Sequence, residues 1–364
     1  MVDTWTSDAK EAHVIKRLVV GETYTLREEF APYGYLKATD IQFTVEDTGD
    51  VQHVEMKDEV PTGSIVINKD GEFVTDTTLM KGHWYDFIFN YFKDSLAGVT
   101  FDVYAKEDIV SADGLGNIYH KAGEKVATIV TNDKGIARID DLPLGKYYLV
   151  ETKTLDGFVL DDTPIDADLS YIDQNTKVVF AGMDVTNERQ KVQITVTKTD
   201  SETKEALEGA VFGLFAKEDI VNKDGKVIVK ADTQIERTVT GKDGKVLDTL
   251  TTDKNGHAES KELPICTYNE DGSFKEDIHY TVVETKAADG YILDETAHDV
   301  TLRYDDNAPD VVVTTLKLIN VPTEPKLPQT GDNANPLLYL GIGALALITG
   351  VGVGLRGRKK KNKQ

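Results

Sequence analysis

One cysteine, two tryptophans and seven histidines in 364 residues leave few of the side chains on which most catalytic and metal chemistry depends. Cys266 alone permits no internal disulfide and offers no metal-ligand cluster, so any covalent staple must be of another kind; it reads as a small strand-edge residue. The histidines are scattered, with no Ser/His/Asp arrangement beside elbow glycines and no metal-ligand spacing. Asp-rich turns such as NKDGK lack the 12-residue oxygen-ligand loop with its terminal glutamate that calcium requires, so neither a metal nor a cofactor is expected. Positive charge is also scarce. The formal net charge is -22, and setting aside the six cations of the tail (Arg356, Arg358, Lys359, Lys360, Lys361 and Lys363) takes it to -28. Such a body repels phosphate backbones, which excludes nucleic acid as a partner. The opening MVDTWTSDAKEAH lacks the cationic start and apolar core of a secretory signal, and no amphipathic helical pattern stands out.

What is present is repetition. YTLREEFAPYGYL from Tyr24 returns as YYLVETKTLDGFVL from Tyr147 and YTVVETKAADGYIL from Tyr280. LAGVTFDVYAKEDIV from Leu96 returns as LEGAVFGLFAKEDIV from Leu207. Glu151 precedes Asn187 by 36 positions and Glu284 precedes Asn320 by the same 36, which fixes the register of two copies. Runs of Val, Ile, Thr and Tyr alternate in polarity between KDG, NDKG, DKNG and EDG turns, the pattern of antiparallel strands joined by hairpins. The expected fold is all-β: tandem Ig-like or prealbumin-like β-sandwiches at 1–61 (truncated), 62–190 and 191–322. The aromatic run HWYDFIFNYF (83–92) reads by alternation as a core strand, with a ligand patch around Trp84 and Tyr85 as the alternative.

After Val321 the style changes. A short spacer, PTEPK, leads to LPQTGDNANP, then to a nineteen-residue run of apolar and glycine residues broken only by Thr349 (337–355), then to RGRKKKNKQ (356–364). Such a run is long enough to cross a bilayer as a helix, and the basic tail stays on the cytoplasmic side.

Strand parity exposes a peculiarity. Side chains alternate between two faces, so Tyr147, Leu149 and Glu151 share one face, as do Tyr280, Val282 and Glu284, and Tyr24, Leu26 and Glu28. In VQITVTKTD, Lys198 falls with Val192, Ile194 and Val196; in the closing strands Asn187 follows Met183 and Val185, Asn320 follows Leu316 and Leu318, and Asp58 follows Val54 and Met56. Lysine and glutamate are almost never buried unpaired. Two arrangements satisfy them: a buried ion pair with a hydrogen-bonded asparagine, or a reaction. Desolvation favours a neutral amine and a protonated acid, and an amine held against a carboxamide carbon can displace ammonia and leave an isopeptide bond.

The LxGxxFxxY strand, the T-D-x-x-G…LPxGxY…E…GY block and the terminal asparagine resemble the SpaA-like or Cna B-type domains of Gram-positive surface proteins and pilins, over about 1–322. That resemblance implies a spontaneous bond between Lys198 and Asn320 with Glu284 as its catalyst, and a second at Asn187 with Glu151. The second lysine is Lys69, on the face of Ile65 and Ile67, with Lys93 as the alternative because an insertion follows. The first unit keeps Glu28 and Asp58 but has no matching lysine. The tail resembles the sorting signal of sortase substrates: LPQTG (Leu327, Pro328, Gln329, Thr330, Gly331) within the linker 323–331, then a transmembrane helix and a basic tail. This implies sortase attack on the Thr330 carbonyl, cleavage before Gly331 and transfer to peptidoglycan, after transient membrane anchoring. The expected function is a wall-anchored adhesin or pilus-associated stalk, not itself an enzyme. It is expected to be the C-terminal piece of a longer surface protein, with pilin subunits or host matrix and cell-surface ligands as further partners. The alternative is the spacer and anchor of a surface enzyme whose catalytic domain lies upstream.

Overall fold

The computed structural model describes residues 1–8, 10–79, 87–112, 115–236, 250–265, 267–304, 311–324 and 353–354. Every regular element among them is a β-strand, as the alternation requires. In the first unit β1 (Thr23–Leu26) and β2 (Ile41–Thr44) form an antiparallel pair. Its apolar residues are few, and Leu36 is the one buried hydrophobic side chain among the described residues before Thr62.

The second unit runs through β3 (Thr62–Leu79), β4 (Phe87–Ser95), β5 (Thr100–Ala105), a ribbon of β6 (Ile109–Val110) and β7 (Ile118–His120), β8 (Lys125–Val130), β9 (Ile136–Leu142), β10 (Gly145–Lys153), β11 (Ile165–Leu169) and β12 (Val178–Asn187). One sheet has the order β11-β10-β5-β8; in the other, β12 and β9 pair with the first part of β3 and β4 with the second. Ile65 and Ile67 of one layer pack with Phe101, Val103, Tyr147 and Leu149 of the other in a single buried cluster.

The third unit repeats the plan with β13 (Lys191–Asp200), β14 (Val211–Ala216), a ribbon of β15 (Ile220–Val221) and β16 (Val227–Val229), β17 (Gln234–Glu236), β18 (His257–Glu259), β19 (Leu263–Pro264), a ribbon of β20 (Thr267–Tyr268) and β21 (Phe274–Lys275), β22 (Asp277–Lys286), β23 (His298–Arg303) and β24 (Val311–Asn320). Here β13 lies between β24 and the short β18 and β19, facing the sheet β17-β14-β22-β23.

The pairing that matters most is the one a hairpin cannot make. First and last strands of the second and third units lie side by side and parallel, β3 with β12 and β13 with β24. Parallel neighbours need a long crossover, and here the rest of the unit supplies it. Lys69 pairs with Val185 and Lys198 with Leu318, so each asparagine lies two residues beyond its lysine's partner, on the same face.

The sorting motif, the basic tail, Cys266 and the pair Trp84 and Tyr85 lie outside the described residues, as does all but 353–354 of the apolar run. Among the described residues no helix is long and apolar enough to cross a membrane.

Candidate cross-linking sites

In the second unit the lysine, glutamate and asparagine meet inside the sandwich. Lys69 and Glu151 side chains are 0% and 1% exposed, with Nζ 2.8 Å from Oε2. Lys69 Nζ also donates to Asn187 Oδ1 at 2.5 Å, and Asn187 Nδ2 donates to Glu151 Oε1 at 2.5 Å and to Thr154 Oγ1 at 2.7 Å. The glutamate thus touches the amine with one oxygen and the amide nitrogen with the other. Burial pushes the Lys69 ammonium below its ordinary pKa, only partly offset by Glu151, and pushes the Glu151 carboxyl above its own. Both shifts favour the neutral forms.

The third unit holds the same three residue types in the same order. Lys198 Nζ lies 3.3 Å from Glu284 Oε1, both side chains 1% exposed, while Asn320 Nδ2 donates to Glu284 Oε2 at 2.8 Å and to the Ile292 carbonyl at 2.9 Å. Burial lowers the pKa of Lys198. Among the described residues Asn320 Oδ1 is buried with no hydrogen-bond donor, a state that typically costs about 1–3 kcal/mol.

Lys93, the alternative amine, is exposed and donates to Thr186 Oγ1 at 3.3 Å, away from Asn187. In the first unit Glu28 accepts from the Ala38 amide at 2.7 Å, and burial together with neighbouring Glu28 raises the pKa of Asp58. The two carboxyls are brought together, and no lysine joins them among the described residues.

Sequence reasoning missed the parts that hold the lysines. Each ammonium sits over a phenylalanine of the opposite sheet, Lys69 at 5.7 Å from the Phe101 ring centre and Lys198 at 5.6 Å from Phe212. Each lysine amide donates at 2.7 Å to a turn glycine, Lys69 to Gly135 and Lys198 to Gly256. Both glycines have positive φ (70° and 68°), and a Cβ on either would stand 2.2 or 2.3 Å from the carbonyl oxygen of that lysine. The signal was available: these residues occupy fixed places in the repeated F-x-x-x-A-K-E-D-I-V and D-K-G or K-N-G blocks.

A family model described as the SpaA prealbumin-like fold domain matches residues 1–60, 91–183 and 192–271, more than half of the chain. The chain belongs to the SpaA prealbumin-like family. In this SpaA-family chain a second model, the LPXTG cell wall anchor motif, matches 319–363. The anchor motif gives the chain a surface location, covalently attached to the cell wall. No curated protein matches the chain. Among solved structures it is similar to the Bacillus anthracis TIE protein (20% identity, 82% of this chain and 42% of that one, TM-score 0.43). It is also similar to a streptococcal ancillary pilin (19%, 85% and 77%, 0.25) and to GBS52, the minor pilin of Streptococcus agalactiae (18%, 74% and 100%, 0.25). The chain spans less than half the length of the TIE protein.

Proposed function

We propose that this chain is the stalk of a wall-anchored adhesin or pilus-associated protein, with a structural rather than catalytic role, and that its second and third units close themselves with isopeptide bonds. The observation that carries this reading is the glutamate bridging amine and amide nitrogen in both units. The lysine Nζ, as free amine, attacks the asparagine Cγ; the carboxyl passes a proton from that nitrogen to Nδ2; the C–Nδ2 bond breaks, ammonia leaves and the glutamic acid is restored. One C–N bond forms for one broken, with no oxidant or cofactor.

The bonds suit a stalk. Lys69 and Asn187 are 118 residues apart, and treating such a closure like a disulfide gives roughly 4–5 kcal/mol from chain entropy. Tension entering at β3 leaves through Asn187 without loading the sheet hydrogen bonds, and the third unit repeats the shortcut from Lys198 to Asn320. Leu327–Gly331 is the sortase recognition segment in this reading, with Thr330 as the acyl donor. Pilin subunits or host ligands bind through other parts of the assembly. Tryptic mapping tests the covalent claim: a branched peptide joining Lys198 to Asn320 is expected, and separate unmodified peptides would rule it out.

A further inference from the structure

Leu96 follows Lys69 by 27 positions, whereas its counterpart Leu207 follows Lys198 by nine. Both leucine amides return to their lysine carbonyl, at 2.9 and 3.0 Å, so the frame is the same and the extra residues form an arm. That arm is the outer half of β3 with β4, paired from Asp70–Ser95 to Leu79–Phe87. It begins just past Gly71, where the pairing with β12 ends. The 27-residue spacing against nine in the third unit makes the arm an insertion relative to that unit.

The arm's apolar residues serve the neighbouring unit. Val74 and Phe89 are 2% and 9% exposed and belong to the buried cluster of the third unit, with Val192 and Leu263; Tyr91 packs on the same cluster. Phe73, one residue along, faces the other way and packs against Phe158 of the second unit. Polar contacts follow the same route: Asn222 Nδ2 donates to the Thr75 carbonyl at 2.8 Å and Thr77 Oγ1 to the Ile228 carbonyl at 3.3 Å. Lys223 pairs with Asp94 and lies 4.7 and 5.0 Å from the ring centres of Phe73 and Phe92. Lys191 lies 5.2 Å from the Tyr91 ring centre.

The connector is held as well. Arg189, 1% exposed, lies between Phe158 of the second unit (5.4 Å) and Tyr268 of the third (5.3 Å), and donates to the Tyr268 hydroxyl at 3.2 Å. Gln190 donates its amide to the Gly157 carbonyl at 2.9 Å. The three-residue linker is thus tied to both units in this structure.

We infer that the β3–β4 arm is a splint: an intramolecular docking element whose partner is the third unit's β13, β15–β16 face, locking the second and third units into one rigid rod. The inference does not depend on the isopeptide bonds, because the arm leaves the main chain beyond Lys69 and its grip is noncovalent.

Spin labels at Lys134→Cys and Lys254→Cys, exposed positions in the corresponding turns of the two units, in a Cys266→Ser background of the full chain in detergent, read the joint directly. The parent should give one narrow distance distribution. Replacing 74–91 by an Asn-Gly turn, which keeps the Phe73–Phe92 pair, should at least double its width, and Asn222→Ala with Lys223→Ala should widen it less. An unchanged width in the arm-shortened protein overturns the splint. If circular dichroism shows that variant unfolded, the Asn222→Ala, Lys223→Ala double variant decides, and an unchanged width there overturns it equally. The mass of each variant reports the isopeptide bonds separately, so loss of rigidity and loss of cross-linking are distinguished.

Discussion

At the scale of single residues the account depends on burial making charged groups neutral. The Lys69 pKa is lowered and that of Glu151 raised, both chiefly by desolvation. Bond formation needs a free amine and a protonated acid, so its rate during refolding should rise with pH through the lysine's lowered pKa and fall through the glutamate's raised one. A bell-shaped profile by time-resolved mass spectrometry is expected; a rate that climbs steadily toward the ordinary lysine pKa of 10.5 would mean that the amine reacts from an exposed state. The unreacted trio also has a stability signature. In Asn187→Ala the folded Lys69 holds its proton less tightly than the unfolded chain does. Its contribution is therefore lost as pH falls from 10.5 through the folded pKa, and denaturant midpoints should drop with it. Glu151 acts in the opposite sense, losing its contribution as pH rises from 4.5 through its raised pKa.

At the scale of elements, parity and register do the positioning. Exchanging Asn68 and Lys69 leaves composition unchanged but turns the amine to the outer face, where Asn68 now bonds Asp184. That variant should keep the third unit's bond and lose the second's, read as one ammonia lost instead of two. Gly256→Ala places a methyl against the Lys198 carbonyl at positive φ; it should cost about 1 kcal/mol or more and slow the third bond, seen as unreacted protein early in refolding. Much of this was legible in the chain. Alternation gave the strands, and two equal spacings of 36 residues gave the facing glutamate and asparagine. Parity also put Lys69 and Lys198 on the inner faces. The parallel pairing of β3 with β12 was not legible, because no local pattern encodes which strands become neighbours across a whole unit. Nor was the destination of Val74 and Phe89: alternation marked a core strand in 83–92 but could not say whose core. Arg189 was missed because a lone arginine in a linker looks like a solvated one until aromatic rings from two units close on it.

For the whole molecule, attachment and strength are separable. Thr330→Ala should remove the chain from the lysozyme-released wall fraction and leave it with the membrane, while both cross-links still form, because the sorting segment and the two sandwiches share no residues. Glu151→Ala with Glu284→Ala should do the reverse, giving wall-linked protein that trypsin degrades readily. The central claim is that each sandwich closes its own covalent strut, and the intact mass of the recombinant chain, purified from cells without a sortase, tests it most directly. The account predicts a mass two ammonia molecules below that of the sequence, restored one step at a time by Glu151→Ala and Glu284→Ala. A mass equal to that of the unmodified sequence would contradict it.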